Sequence, residues 1–392
     1  MNEIDVAKVR AETPGCETVI HLNNSGAALM PKPVLAAQLD HLKLEAQIGG
    51  YEAADAVAER ITGVYESVAK LINADALEVA MMPNATRAWD MAFYAFEFSP
   101  GDRILTTEVE YGANYVAYLQ VARRSGSVIE VIPSNSFGET SPDALESMID
   151  DRVKLITTTY IPTNSGLVNP AEEIGKIARR YGIPYLLDAC QAVGQLPIDV
   201  RAIGCDLLSG TGRKYLRGPR GTGFLYARLD SLSQLEPPMI DHFAADWIAP
   251  DRYSLRPDAR RFEAWDANYA NILGLGSAVD YALGWGVPAI WDRITALAEE
   301  LRERLAAVPG VVLYDIGRKR CGIVSFALEG VDPFAVKSAL RTQSINLAVS
   351  PPSATLLDAK RRNLPPLLRA SIHYYNTSEE IGTLCRQLHA LG

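Results

Sequence analysis

The chain has 392 residues, 48% hydrophobic and 22% charged, with a formal net charge of −9; that length supports a full core and two domains, because single cores stop growing near ~250–300 residues. The acidic balance argues against nucleic acid as a partner. No apolar run approaches the ~20 residues that span a bilayer, and the start over 1–10 lacks a secretory apolar segment, so no membrane association and a cytoplasmic location are expected.

In chain order, 21–28 reads as a short extended piece that breaks into small polar residues, including Asn24 and Ser25, and suits a wall of a site. The helical segment after Pro31 is interrupted at Gly49-Gly50, which would free Tyr51 to project from a loop; a plain helix-to-helix turn explains the pattern equally well. Val64, Val68, Leu71 and Ile72 carry the spacing of a helix with one buried face. Alternation then begins: strands over 79–82, 103–107, 128–132, 153–159, 185–187 and 206–208, separated by helices over 86–96, 114–124, a helix ending near 149, and 171–181. Such alternation predicts an α/β fold, with a largely parallel sheet covered on both faces and ligands beyond the carboxyl ends of its strands. From 261 the texture changes to a long amphipathic helix over 290–307, strands over 311–314, 322–328 and 368–372, and a helix over 334–340. This divides the chain into a large domain over 18–260 and a smaller α+β domain made of 1–17 and 261–392. The five cysteines, Cys16, Cys190, Cys205, Cys321 and Cys385, form no CxxC pair and read as isolated thiols; no metal is expected.

The chemistry concentrates around Ser209 to Tyr226, where Lys214 stands between permissive small residues and a Gly-Pro turn. A lysine pinned and partly desolvated in this way holds its amine nearer the neutral state, the form that attacks a carbonyl. Asp188 follows the strand over 185–187 and could pair with a protonated ring nitrogen, although an aspartate there is also an ordinary turn cap. Asn84-Ala85-Thr86 offers backbone N–H groups and a hydroxyl at a helix start, which suits a phosphate dianion or, equally, a simple N-cap. Together the lysine, the strand-end carboxylate and the helix start describe a pyridoxal phosphate site: the lysine holds the aldehyde, the carboxylate keeps the ring nitrogen protonated, and the helix start anchors the phosphate.

Three stretches extend this. Thr211-Gly212-Arg213-Lys214 with Gly218-Pro219-Arg220-Gly221-Thr222-Gly223, Asp188 with Gln191, and the run from Arg369 to Ile381 give the chain, over nearly its whole length, a pattern that resembles the class V aminotransferase family. That group includes cysteine desulfurases, isopenicillin N epimerases and hercynylcysteine sulfoxide lyases. The resemblance implies a homodimeric pyridoxal phosphate enzyme of fold type I with sites shared between subunits. It implies that Lys214 binds the cofactor and moves the Cα proton, that Asp188 pairs with the ring nitrogen, and that Gln191 bonds the ring oxygen. Thr86, Thr211 and Arg213 would hold the phosphate, and Arg369 would bind the substrate carboxylate as a fork.

The departures bear on the reaction. Tyr111 stands where the family has a ring-stacking histidine, so stacking could persist while an imidazole proton carrier is lost. The ring-oxygen asparagine corresponds to Thr163 or Asn164. Asp266 lies in the stretch from which a partner subunit usually offers a threonine to the phosphate. The stretch 350–355, where desulfurases carry a sulfur-accepting cysteine, has none, and a hydroxyl cannot carry a persulfide. Tyr111 and the stretch 45–51 look similar to the carbon–sulfur lyase branch. The expected reaction is therefore β-elimination from a cysteine-derived amino acid. Transamination, epimerisation and a non-catalytic binding protein of the same fold are the alternatives.

Overall fold

Neighbouring residues along the first strands feed opposite faces, which is what builds the core. Ala80, Ile104, Leu155, Leu186 and Leu207 pack on one side of the sheet, while Met81, Leu105, Ile156, Leu187 and Leu208 pack on the other. That is period-two alternation with both faces apolar, as a sheet covered by helices on both sides requires.

The computed structural model describes residues 4–392; residues 1–3, at the head of the segment assigned to the small domain, lie outside the described residues. Its large sheet contains β1 (Val79–Met82), β2 (Arg103–Thr107), β3 (Val128–Ile132), β4 (Val153–Thr159), β5 (Tyr185–Asp188), β6 (Leu207–Thr211) and β7 (Gly223–Ala227), in the order β1-β7-β6-β5-β4-β2-β3. Only β7 runs against the others. This is the mostly parallel α/β architecture expected. One face is covered by α3 (Ala85–Phe93) and α4 (Gly112–Ser125), whose Trp89, Phe93 and Tyr118 interleave; the other takes in α2 (Ala58–Ile72) and α5 (Ala171–Tyr181), while α1 (Lys32–Ile48) packs against a further helix over Tyr269–Trp285.

A second, antiparallel sheet holds β8 (Val311–Leu313), β9 (Ile323–Leu328), β10 (Ala348–Ser350) and β11 (Leu367–Ser371), in the order β8-β9-β11-β10. The long amphipathic helix expected over 290–307 is α7 (Val287–Ala306), beginning three residues earlier, whereas the helix before it, α6 (Tyr269–Trp285), was not anticipated. Helix α6 has no clean amphipathic stripe because it is buried between α1 and α2. A hairpin of Ala245–Ala249 and Arg252–Leu255 was likewise not anticipated. Two apolar groupings cross the expected division at 260: Leu22 packs with the second sheet, and Leu275 and Val279 of α6 pack with the first. Among the described residues, no helix is long and apolar enough to cross a membrane.

Candidate active site

The strand expected to end at 208 runs on to Thr211, because Ser209 to Thr211 pair with Gly223 to Leu225 of β7. The glycine-rich approach to Lys214 is thus mostly strand, and the turn begins at Gly212. A Cβ on Gly212 would lie 2.1 Å from the Thr222 hydroxyl, so only glycine lets the two strands meet there. The turn closes on backbone bonds, with Gly218 N–H donating to the Gly212 carbonyl at 2.8 Å and Arg217 N–H to the Lys214 carbonyl at 2.9 Å.

Arg217 anchors the turn from behind. It is buried with a φ of +62°, donates to the Leu29 carbonyl at 2.8 Å and the Tyr374 hydroxyl at 2.9 Å, and also bonds the Thr13 hydroxyl. The rings of Tyr375, Tyr374 and Tyr281 surround its guanidinium at 4.7, 5.2 and 5.5 Å. Lys214 itself has no hydrogen bond or ion pair among the described residues. Burial holds its amine below the ordinary lysine range, against the opposing pull of Cys190 and Asp188.

The parallel register sets Thr159, Asp188 and Ser209 side by side at the carboxyl ends of β4, β5 and β6. Asp188 Oδ1 accepts from the Cys190 N–H at 2.9 Å and Oδ2 from Asn114 Nδ2 at 3.0 Å. On its far side, Asn84 caps α3 by accepting the Arg87 N–H at 2.9 Å. A Cβ on Gly223 would lie 2.9 Å from Ala85 N, so β7 passes directly beneath the helix start.

These elements surround a cavity of about 780 Å³. It brings together Lys214, Asp188, Gln191, Tyr111, Ala85, Thr86, Thr163, Thr211, Arg213, Arg369 and Ser25, from seven separate stretches of chain. Arg369 sits mid-strand in β11, where Nη1 donates to the Thr163 carbonyl at 3.1 Å and hydroxyl at 2.6 Å, while Nε has no partner. Burial pulls its pKa down to about 10. Arg213 donates to the Gly26 carbonyl, which ties the Lys214 turn to the loop bearing Ser25. Gln191 Nε2 donates to the Ser25 carbonyl at 3.1 Å and leaves its buried Oε1 without a partner.

Three predicted residues stand elsewhere. Asn24 is buried one layer behind the cavity, donating to the Ser371 carbonyl at 2.7 Å and accepting from the Tyr375 hydroxyl; it positions Ser25, whose N–H donates to the Ser371 hydroxyl at 2.9 Å. Tyr51 does not project from a loop into the cavity. Gly49, at φ +99°, breaks the chain direction and a new helix, Gly50–Ala56, starts at once, which leaves the tyrosine 74% exposed. Asn164 turns toward the Thr355 hydroxyl at 3.3 Å, whereas its neighbour Thr163 lines the cavity. Asp266 borders an adjoining cavity of about 430 Å³ that shares Arg87, Gly221 and Thr222 with the first. The nearby Glu263 faces inward, accepting from the Met81 N–H at 2.7 Å and the Tyr65 hydroxyl at 2.9 Å.

Sequence reasoning missed Asn114, Cys190 and Arg220 on the cavity wall. The Glu110/Asn114 spacing of one helical turn after a strand was the available signal. It also assigned no task to Ser371, Tyr375 and Asn376, which clamp the loop around Asn24 and Ser25 onto β11.

A family model described as aminotransferase class V matches residues 20–384. A probable cysteine desulfurase of Methanothermobacter thermautotrophicus is 30% identical over 98% of this chain and 97% of its own length. Among solved structures, the apo form of a cysteine desulfurase from Thermococcus onnurineus NA1 superposes with a TM-score of 0.92 at 27% identity, covering 100% of this chain and 99% of that one. The cystine C-S lyase C-DES, in complex with its product cysteine persulfide, shares the fold with a TM-score of 0.87 at 23% identity, over 96% of this chain and 99% of its own.

Proposed function

The chain belongs to the aminotransferase class V family, a group of pyridoxal phosphate enzymes, and we propose that it cleaves the carbon–sulfur bond of a cysteine-derived amino acid by β-elimination. The observation that carries this reading is a buried, unpaired Lys214 amine facing Asp188 and Arg369 across one cavity.

The residues present fit the cofactor. Gln191 Oε1, Ser209 Oγ and Arg369 Nε are buried in or beside the cavity without partners, and orphaned polar atoms of that kind are costly unless a polar guest meets them. The start of α3 with Thr86, together with Thr211 and Arg213, would receive the phosphate. Asp188 would hold a proton on the ring nitrogen, Gln191 would face the ring oxygen, and Tyr111, 42% exposed, would lie against the ring. When bound, pyridoxal phosphate supplies an aldehyde that condenses with amines and a ring that accepts the electron pair left on Cα.

The remaining work falls to the side chains. Arg369 clamps the substrate carboxylate with the donors that Thr163 leaves free, orienting the Cα–H bond toward Lys214. The lysine amine takes the Cα proton, and the electrons of the broken Cα–H bond expel the sulfur from Cβ. The leaving sulfur takes up a proton, and water completes the release of pyruvate and ammonia.

Sulfur transfer to a protein thiolate, the reaction implied by the names of the relatives, is the second reading. It finds less support in this chain. The stretch 350–355 carries no cysteine, and the thiol that lines the cavity, Cys190, is held well above its ordinary pKa by burial and by Asp188, so it stays protonated. Incubating the holoenzyme with L-cysteine and L-cystine is expected to release pyruvate and ammonia in equal amounts without an added keto acid. Alanine with enzyme-bound persulfide would establish the transfer reading instead, and turnover only with a keto acid would establish transamination.

We further propose a homodimer. Trp247 is 79% exposed, Ile248 and Trp265 are exposed, and exposed Met239 lines the adjoining cavity; large apolar side chains left in water are what a subunit interface covers. Light scattering is expected to return twice the chain mass of 42.7 kDa; the monomer mass at micromolar concentration would refute it.

A further inference from the structure

Behind Asp188 lies a second carboxylate that the reaction does not use. Glu110 is buried and accepts five hydrogen bonds: at Oε1 from the Tyr111 N–H (2.8 Å), Asn114 Nδ2 (2.9 Å) and the Thr159 hydroxyl (2.6 Å), and at Oε2 from the hydroxyls of Thr106 (3.0 Å) and Tyr118 (3.2 Å). The same Asn114 nitrogen donates to Asp188 Oδ2 at 3.0 Å. One amide therefore spends its two hydrogens on two carboxylates.

That arrangement is directional. An asparagine amide presents an oxygen on one side and an NH2 on the other, and either could face a lone carboxylate's surroundings after a flip. With acceptors at both hydrogens, the flipped amide would aim its oxygen at two carboxylates, so Glu110 selects the orientation that serves Asp188. The Cys190 N–H holds Asp188 Oδ1 and Asn114 holds Oδ2, so the carboxylate plane is fixed at two points at the cavity wall. Burial and the Asp188 charge push the Glu110 carboxyl up to about 7, against the donated bonds, so a full set of donors is what keeps a second buried acid tolerable there.

We propose that Asn114, oriented by Glu110, is a positioning residue that fixes the Asp188 carboxylate for the ring nitrogen of the cofactor. This rests on the pyridoxal phosphate reading above and deepens it. Asn114 reaches the cavity wall, but both of its amide hydrogens go to Glu110 and Asp188, so the pair acts through Asp188.

A double-mutant cycle on cofactor affinity tests this without any turnover. Apoprotein is titrated with pyridoxal 5′-phosphate, and the dissociation constant is read from quenching of protein fluorescence, with circular dichroism checking the fold of each variant. Asn114→Ala is expected to weaken binding about tenfold, as loss of one charge-assisted hydrogen bond does. In an Asp188→Asn background the same change is expected to cost less than about twofold, because the carboxylate it serves is gone. Glu110→Gln, which keeps the side-chain volume, is expected to weaken binding by a smaller factor that also vanishes in that background. An Asn114 effect undiminished by Asp188→Asn, or wild-type affinity in Asn114→Ala, would overturn the proposal and leave the cofactor reading standing. If Asn114→Ala does not fold, the Glu110→Gln cycle decides by the same criterion. Failure of the unmodified apoprotein to bind the cofactor would sink the cofactor reading itself.

Discussion

Lys214→Ala is expected to lower the rate of pyruvate release by about a thousandfold or more, because it removes both the amine that captures the cofactor and the base that takes the Cα proton. The structure makes this the largest single effect for a specific reason. Lys214 is the one amine on the cavity wall, and it stands without a hydrogen-bond partner among the described residues. Its pKa is depressed first by burial, so more of it is neutral at working pH than of a solvated lysine. The variant keeps the phosphate cradle of Thr86, Thr211 and Arg213, so it is expected still to bind the cofactor, now without a covalent bond, and the absorbance between about 300 and 500 nm should shift accordingly. Stability should not fall, since an unpaired buried amine costs free energy in the folded state; apoprotein of the variant is expected to melt at or above the unmodified temperature. Added small primary amines should restore part of the rate. Full activity in Lys214→Ala, or an absorbance spectrum identical to that of the unmodified enzyme, would refute the assignment.

Arg369→Ala is expected to reduce kcat/KM by about 10²- to 10³-fold, with most of the loss in KM, because a carboxylate held equally in substrate and transition state is uniform binding. Arg369 is already aligned before substrate arrives: two bonds from Nη1 to Thr163 fix the guanidinium plane, and Nε is buried without a partner. Little side-chain entropy then remains to be lost on binding. Arg369→Lys should recover only a minor part of the affinity, since a point charge cannot form the fork. Thr163→Val, which removes the hydroxyl at 2.6 Å, should give an intermediate KM. The pH dependence has a definite sign. A cation whose pKa is pulled down to about 10 by burial stays charged at neutral pH and loses its charge as pH rises through that value, so KM should climb above about pH 10. A KM unchanged in Arg369→Ala would show that the substrate carboxylate binds elsewhere.

Much of the large domain was legible because its strands are short apolar runs punctuated by turn residues, and their alternation with helices leaves few topologies. The limits of 79–82, 103–107, 128–132, 153–159 and 171–181 match the observed elements residue for residue. The failures have physical causes. Helix α6 has apolar residues all round, so no periodic stripe announced it. Strand β6 outran its expected end because Ser209 and Gly210 read as loop residues, and only pairing with β7 keeps them extended. Tyr51 was placed near a site by its glycines, but two glycines that break one helix also allow the next to begin, and spacing alone does not distinguish the two.

The sequence by itself determined the chemistry available: one lysine on a tight turn, a strand-end carboxylate and a capped helix start, each recognisable from its own neighbours, with Arg369 added by the family resemblance. It also determined the parallel α/β class, since the period of the apolar pattern is a local property. Only the tertiary structure decided which of these groups meet. Arg369 is 155 residues from Lys214 along the chain and reaches the same cavity because β11 docks against the loop of Asn24 and Ser25, through Ser371, Tyr375 and Asn376. The choice of Thr163 over Asn164 as cavity residue, and the bridge from Glu110 through Asn114 to Asp188, likewise arise from contacts between strands and helices distant in sequence. Side-chain direction and hydrogen-bond partner depend on what packs opposite, and no local pattern in the chain encodes that.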